Sequence, residues 1–299
     1  LKLALKIDVD TYRGTREGIP NLLRQLGSAG ADATFLFSLG PDHTGRAIKR
    51  VFRRGFLAKV QRTSVIEHYG LRTLLYGTLL PGPDIGKQCA DELRAVAQAG
   101  FETGIHTWDH IAWQDGVLRA SIDRTQQMMQ RAFDRYAELF GQAATVHGAA
   151  GWQMNTAAYA FESALGFRYA SDTRGVCPFI PVVDGKACVP QLPTTLPTLD
   201  ELIGVDGATP EDAARQLLAR TEQAPATGHV YTLHAELEGA RLAGVFDTLL
   251  KGWQTQGYQL VSMQRLFDSL DSATLPRHHV IHAPLEGRSG TLAQQGPRQ

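Results

Sequence analysis

Leu1-Lys2-Leu3-Ala4-Leu5-Lys6-Ile7-Asp8-Val9-Asp10 decides the fold class, because its side chains alternate in character along the whole stretch. Leu3, Leu5, Ile7 and Val9 fall on one face of a strand and Ala4, Lys6, Asp8 and Asp10 on the other, the period of two that an extended chain imposes. The strand therefore ends in two carboxylates aimed at one volume, and their repulsion calls for something cationic between or beside them. A pair of solvated strand-end acids is the plainer alternative.

Outward from this strand the sequence alternates between two periods. A helix is expected over 20–29, where Pro20 suits the first turn and Gly30 the end, and a strand over 33–39. Helices over 84–99, 121–140, 155–165, 210–223 and 241–256 then alternate with strands over 101–106, 145–148, 168–171, 229–233 and 258–261. Such alternation implies a mainly parallel sheet with its site at the carboxyl ends of the strands, and one α/β barrel fills a chain of this length. Two stretches break the pattern. Residues 41–83 are too long for an ordinary connection and read as an insertion. Residues 176–198 hold five prolines and an Asp184-Gly185 turn. Past 275 the chain is rich in Gly, Gln and Arg, so a single domain over 1–275 with a weakly ordered tail over 276–299 is expected.

Thirty basic residues balance thirty acidic ones, which leaves no overall field to attract nucleic acid. Cys89, Cys177 and Cys188 are scattered and odd in number, the pattern of buried thiols in a reducing compartment rather than of a disulfide framework. Residues 1–10 are too charged for a signal peptide, and no apolar run is long enough to span a bilayer.

The chemistry-bearing residues cluster at expected strand ends. In His106-Thr107-Trp108-Asp109-His110 two imidazoles four apart, beginning at a strand end, can converge on one divalent ion. Two His and one carboxylate leave coordination positions open, the hallmark of a catalytic rather than a structural ion. Taken alone the pair is weak in a chain with ten histidines, and hydrogen-bonding roles compete. His234 follows the apolar run Val230-Tyr231-Thr232-Leu233 and is placed to donate a proton to a leaving group; a core histidine bonded to backbone is the alternative.

Together these motifs resemble the polysaccharide deacetylase (NodB-like) family. Ile7-Asp8-Val9-Asp10 is similar to its first motif, His106-Thr107 with His110 to its second, and Tyr231-Thr232-Leu233-His234 to its last. The resemblance implies a distorted (β/α)7 barrel, here with a long inserted segment, and one divalent metal ion, Zn, Mn or Co, held by an Asp-His-His set. It implies Asp8 as catalytic base, Asp10, His106 and His110 as metal ligands and His234 as acid, although Val9 separates aspartates that are adjacent in many members, so the roles of Asp8 and Asp10 could be exchanged. The family's arginine-bearing third motif is replaced by Ala149-Ala150-Gly151-Trp152, and Arg174 is the candidate to serve the base in its place; a surface ion pair is the competing reading of Arg174. Trp152 is a candidate sugar contact, with core packing as its alternative.

Further similarity, in residues 7–18, 149–152 and 234–239, points within the family to members that deformylate an amino sugar. The substrate so implied is 4-deoxy-4-formamido-L-arabinose on undecaprenyl phosphate, in lipid A modification and polymyxin resistance. A polysaccharide or chitooligosaccharide N-deacetylase is the nearest alternative, a two-His-one-carboxylate iron oxygenase a more remote one, and a non-catalytic lipid-carrier-binding module the alternative of another class. The insertion fits a lipid-borne substrate: Arg46, Lys49, Arg50, Arg53, Arg54, Lys59 and Arg62 accompany Ile48, Val51, Phe52, Phe56, Leu57 and Val60, a basic amphipathic pattern suited to an anionic membrane surface. A helix packed on the barrel is the alternative. The expected location is peripheral, on the cytoplasmic side of the bacterial inner membrane.

Overall fold

Strand β1 (Lys2–Val9) lies inside a seven-stranded sheet and is buried on both faces from Leu3 onward. The structure is a computed structural model that describes residues 1–47, 72–288 and 290–299. Leu3, Leu5, Ile7 and Val9 join the main core under the helices, whereas Ala4 packs with Leu36, Val146, Tyr169, Leu192 and Val230 in a smaller cluster on the other face. Burial of each large apolar side chain stabilises by about 2 kcal/mol, so the four on β1 together match the several kcal/mol it costs to take Lys6 and Asp8 out of water. The polar face of the alternating decapeptide is thus the inside of the barrel.

Among the described residues the remaining strands are β2 (Thr34–Ser38), β3 (Glu102–Thr107), β4 (Val146–His147), β5 (Tyr169–Ala170), β6 (Ile180–Val183), β7 (Lys186–Ala187), β8 (His229–His234), β9 (Gln259–Val261), β10 (Arg277–Pro284) and β11 (Thr291–Arg298). In the main sheet the order is β5-β4-β3-β2-β1-β8, with β9 also on β1, and every pairing is parallel. The ladder does not close by regular strands. Residues 190–195 span the gap between β5 and β8: the Leu192 N–H donates to Ala170 O (2.8 Å) and the Thr195 N–H to Val230 O (3.0 Å). Pro190 and Pro193 have no N–H to offer, so this seam is bonded only in part. A distorted (β/α)7 barrel is the result.

Helices α1 (Ile19–Ala29), α2 (Ala90–Gln98), α3 (Ile122–Phe140), α4 (Thr156–Leu165), α5 (Pro210–Arg220) and α6 (Ala243–Thr255) cover the sheet where the sequence period places them. Ser121, Asn155 and Thr209 accept from N–H groups of the first turns of α3, α4 and α5. The helix expected over 84–99 divides at Cys89 into Ile85–Gln88 and α2.

Two expectations are corrected. The tail is not weakly ordered: β10 and β11 form an antiparallel hairpin, and β10 runs parallel to β6. Its polar composition concealed this, because its strands draw on backbone pairing and on contacts such as Gln153 Nε2 to Thr291 O (2.7 Å) rather than on a rich apolar face. Of the cysteines, Cys89 is buried but Cys177 and Cys188 are half-buried, and all three are free. Most of the basic amphipathic segment, residues 48–62, lies outside the described residues. Among the described residues no helix is long and apolar enough to cross a membrane.

Candidate active site

Strands β1, β3 and β8 deliver their carboxyl ends to one rim. Because β8 flanks β1 on one side and β2 and β3 lie on the other, His234 and the His106–His110 pair approach Asp8 and Asp10 from opposite directions. His110 opens the short helix His110–Gly116, whose cap Asp109 accepts from Ala112 N–H (3.0 Å). That turn brings His110 back over His106, with ring centroids 5.4 Å apart. The other Asp109 oxygen lies 2.6 Å from His43 Nδ1, tying the start of the insertion to the same turn. After β1 and β8 two helical turns, Gly14–Gly18 and Leu237–Arg241, pack together. A Cβ on Gly18 would stand 2.1 Å from Ala235 O, so only glycine lets these turns approach.

His106 Nε2 stands 3.2 Å from Asp10 Oδ1, and His110 Nε2 stands 3.3 Å from Asp10 Oδ2. Ligands bound about 2 Å from a common tetrahedral ion stand roughly 3.3 Å apart, so these spacings suit a shared divalent cation. Asp10 Oδ1 is buried and makes no hydrogen bond. His106 Nδ1 donates to Gly148 O at 2.6 Å, which leaves Nε2 bare of hydrogen and turned to the cluster, the outer bond that ligating histidines usually carry. The donor set therefore fits a divalent metal. Burial disfavours the Asp10 carboxylate, but His110 and His106 outweigh it and hold the group far below the usual carboxylate range.

Asp8 is 3% exposed. Its Oδ2 lies 3.3 Å from Lys6 Nζ, while its Oδ1 has no hydrogen-bond partner and faces His106 Nδ1 at 3.7 Å. Lys6 is wholly buried and also donates to Ser171 O (3.1 Å). On the opposite side, the His234 N–H donates to Glu238 Oε2 (2.9 Å), and His234 Nδ1 lies 4.0 Å from Asp200 Oδ1 with no hydrogen bond of its own. Burial opposes a charge on His234, yet Asp200, Asp10 and Glu238 raise its pKa above the ordinary imidazole value. Burial, only partly offset by His234, pushes Glu238 up to about 7. Burial and the neighbouring Asp10 push the Glu236 carboxyl well above its ordinary range.

No protein-family model matches the chain. A probable 4-deoxy-4-formamido-L-arabinose-phosphoundecaprenol deformylase ArnD of Shewanella sediminis (strain HAW-EB3) is 37% identical over 301 residues, 98% of this chain and 94% of the relative. The chain belongs to the ArnD deformylase family. A second ArnD relative, of Wigglesworthia glossinidia brevipalpis, is 30% identical over 94% of this chain and 98% of its own. Solved structures share the fold: a putative polysaccharide deacetylase of Mycobacterium smegmatis has a TM-score of 0.61 at 16% identity, covering 95% of this chain and 94% of its own. The Bc1960 peptidoglycan N-acetylglucosamine deacetylase has a TM-score of 0.55 at 14% identity, with coverages of 90% and 89%.

In this ArnD-family chain the five residues Asp8, Asp10, His106, His110 and His234 come together as expected from the sequence, and two do not. Arg174 does not serve the base. Its guanidinium donates to Glu201 Oε1 (2.8 Å) and Leu196 O (2.9 Å). Trp152 is no open sugar platform, because it is 2% exposed and its indole N–H donates to Thr194 Oγ1 (3.2 Å). The ring is instead packed among cations: Lys6 Nζ lies 5.4 Å, and the Arg174 and Arg288 guanidinium carbons 4.9 and 5.0 Å, from its centroid. Lys6 was the overlooked partner of Asp8. It lies two residues before Asp8 on the same strand face, and the requirement for a cation beside the carboxylates pointed to it. Asp200 and Arg288 carried no comparable signal.

A second group of similar composition lies deeper. His147, Glu162 and Asp172 are all buried and could also offer a metal three donors. His147 Nδ1 lies 2.6 Å from Glu162 Oε1 and 3.0 Å from Asp172 Oδ1.

Proposed function

We propose that this chain hydrolyses the formamide of 4-deoxy-4-formamido-L-arabinose carried on undecaprenyl phosphate, releasing formate and the free amino sugar lipid for lipid A modification and polymyxin resistance. Nearly end-to-end relatives named for this reaction support the substrate. The observation that carries the chemistry is that Asp8 and His234 both lie against the Asp10–His106–His110 set, Asp8 Oδ1 3.7 Å from His106 Nδ1 and His234 near enough to feel the charge of Asp10.

Asp10, His106 and His110 are the residues that would hold one divalent ion, and their mixed imidazole and carboxylate donors suit Zn, Mn or Co. Such an ion lowers the pKa of water and polarises a carbonyl. Asp8 is the base that takes the proton of the attacking water through its unpartnered Oδ1, while Lys6 holds Oδ2. His234 is the acid that passes a proton to the departing amine nitrogen. Burial opposes its charge, but Asp200, Asp10 and Glu238 raise its pKa above the ordinary imidazole value, the direction that favours the proton-carrying form. Water, formamide and one proton relay thus balance to formate and an amine.

The lipid carrier places the work at the anionic cytoplasmic face of the inner membrane, and the basic residues of the insertion, Arg46 to Arg62, are assigned to that surface. In the test, the full chain is loaded with Zn, Mn or Co and given the formamido-arabinose lipid in vesicles containing anionic phospholipid. Formate is expected in step with lipid consumed, and vesicle binding is expected to weaken as salt rises. Acetate from a chitooligosaccharide without formate from the lipid would favour the polysaccharide deacetylase reading. Lipid binding with no hydrolysis would favour a carrier-binding module.

A further inference from the structure

We propose that the C-terminal hairpin is a working part of the active site, and that Arg288 at its turn is a positioning residue that sets His234 through Asp200. This rests on the reading of His234 as the proton donor.

The hairpin is fixed on three sides. β10 pairs with β6 from Arg277↔Ile180 to His279↔Val182. In β11 the Arg174 N–H donates to Ala293 O (2.9 Å) and the Gln295 N–H to Arg174 O (2.8 Å). His282 Nε2 meets Met154 O at 3.0 Å, beyond the Ala150–Trp152 turn. These anchors press the hairpin turn onto the short helix Leu199–Leu202: a Cβ on Gly287, which sits at φ +78, would stand 2.7 Å from Glu201 O.

Arg288 is thereby delivered to Asp200 as a fork. Its Nη1 lies 3.0 Å from Asp200 Oδ2 and its Nη2 donates to Asp200 Oδ1 at 3.1 Å. Nη2 also donates to Thr198 Oγ1 (2.9 Å) and Nε to Glu201 Oε1 (2.7 Å), while the guanidinium lies over the Trp152 ring. A planar guanidinium on both oxygens fixes the plane of a carboxylate as a point charge cannot. Asp200 Oδ1 is the oxygen 4.0 Å from His234 Nδ1. The same oxygen accepts from the Thr198 hydroxyl (2.5 Å). Orientation of the imidazole that donates the proton is therefore set from a segment with no chemical motif of its own.

Arg288→Ala in the full, metal-loaded chain is expected to lower kcat by about tenfold or more, with KM changed less than about threefold, the signature of lost orientation rather than lost binding. Arg288→Lys is expected to recover little, because an ammonium cannot grip both oxygens. Millimolar guanidinium is expected to restore part of the kcat of Arg288→Ala and to leave unchanged Arg298→Met, a control at the exposed end of the same hairpin. The rate is read on formamido lipid or on whichever amide the unaltered chain hydrolyses, so a wrong substrate leaves the comparison intact. An independent readout is the His234 ring resonance in 15N-histidine-labelled protein, assigned with His234→Gln, which is expected to move in Arg288→Ala and return with guanidinium. A folded Arg288→Ala chain with kcat within about twofold of normal and an unmoved His234 resonance would overturn the proposal.

Discussion

Two buried groups in this molecule draw on the same side-chain chemistry. Asp10, His106 and His110 lie at the rim, with nitrogen–oxygen spacings of 3.2 and 3.3 Å and an Asp10 oxygen that makes no hydrogen bond. His147, Glu162 and Asp172 lie inside, with spacings of 2.6 and 3.0 Å, so the donor nitrogen is already spent on carboxylates. Asp172 is further engaged by Ala149 N–H (2.8 Å) and Gln191 Nε2 (2.7 Å). Burial opposes a charged His147, but Asp172 and Glu162 push it up to about 10, and it stands as a cation between acids. Residue type does not separate a ligand set from an ion pair. What separates them is whether the donor atoms remain uncommitted. The inner group instead braces the Gly148–Trp152 turn, whose first carbonyl fixes His106.

The comparison is broken most severely at the outer group. Asp10→Asn is expected to abolish turnover and reduce bound metal to trace levels by elemental analysis while the chain stays folded, since an outer partner of a ligand alone registers at about tenfold to a hundredfold. His147→Gln is expected to do the converse. Bound metal in the folded fraction stays at one ion per chain, whereas stability falls by roughly 3–5 kcal/mol in a denaturant titration, because the buried Asp172 carboxylate loses its cation. A second ion per chain, lost with His147→Gln, would refute the division of roles. The inner group also gives a pH signature. His147 has its pKa raised on folding, so its contribution is complete below the ordinary imidazole value near 6.5 and is lost as pH rises through about 10. Thermal midpoints should fall across that window, with a smaller slope in His147→Gln. The smallest effect is expected at Lys6. Lys6→Met should lower kcat about tenfold by freeing Asp8, and Lys6→Arg should keep more activity than Lys6→Met, as judged by rates at saturating substrate.

The sequence made the rim legible because acids and imidazoles at strand ends carry two signals at once, residue type and position in the alternating pattern. Asp8, Asp10, His106 and His234 all had both. Lys6 had them too, but a period of two distinguishes faces without saying which is inside, and a charged residue reads by default as facing water. Trp152 and Arg174 were misplaced for a related reason: an indole or a guanidinium in a loop looks available until the folded chain surrounds it. The hairpin carrying Arg288 was obscured because two polar strands have little apolar periodicity, and their order comes from pairing with distant β6. The parallel sheet and its helices were legible throughout, since their burial patterns repeat locally.

The position of β1 has a consequence for how the protein is made. Leu3 pairs with His229 and Lys2 with Gln259, so the strand is synthesised long before two of its neighbours. Until then Leu3, Leu5, Ile7 and Val9 are a sticky ribbon, the kind of segment that aggregates when its partners are late. Lys2, Lys6, Asp8 and Asp10, spaced between them, act as gatekeepers that keep the nascent chain dispersed. Charges that the folded barrel later encloses thus first serve as the solubilising half of an unpaired strand.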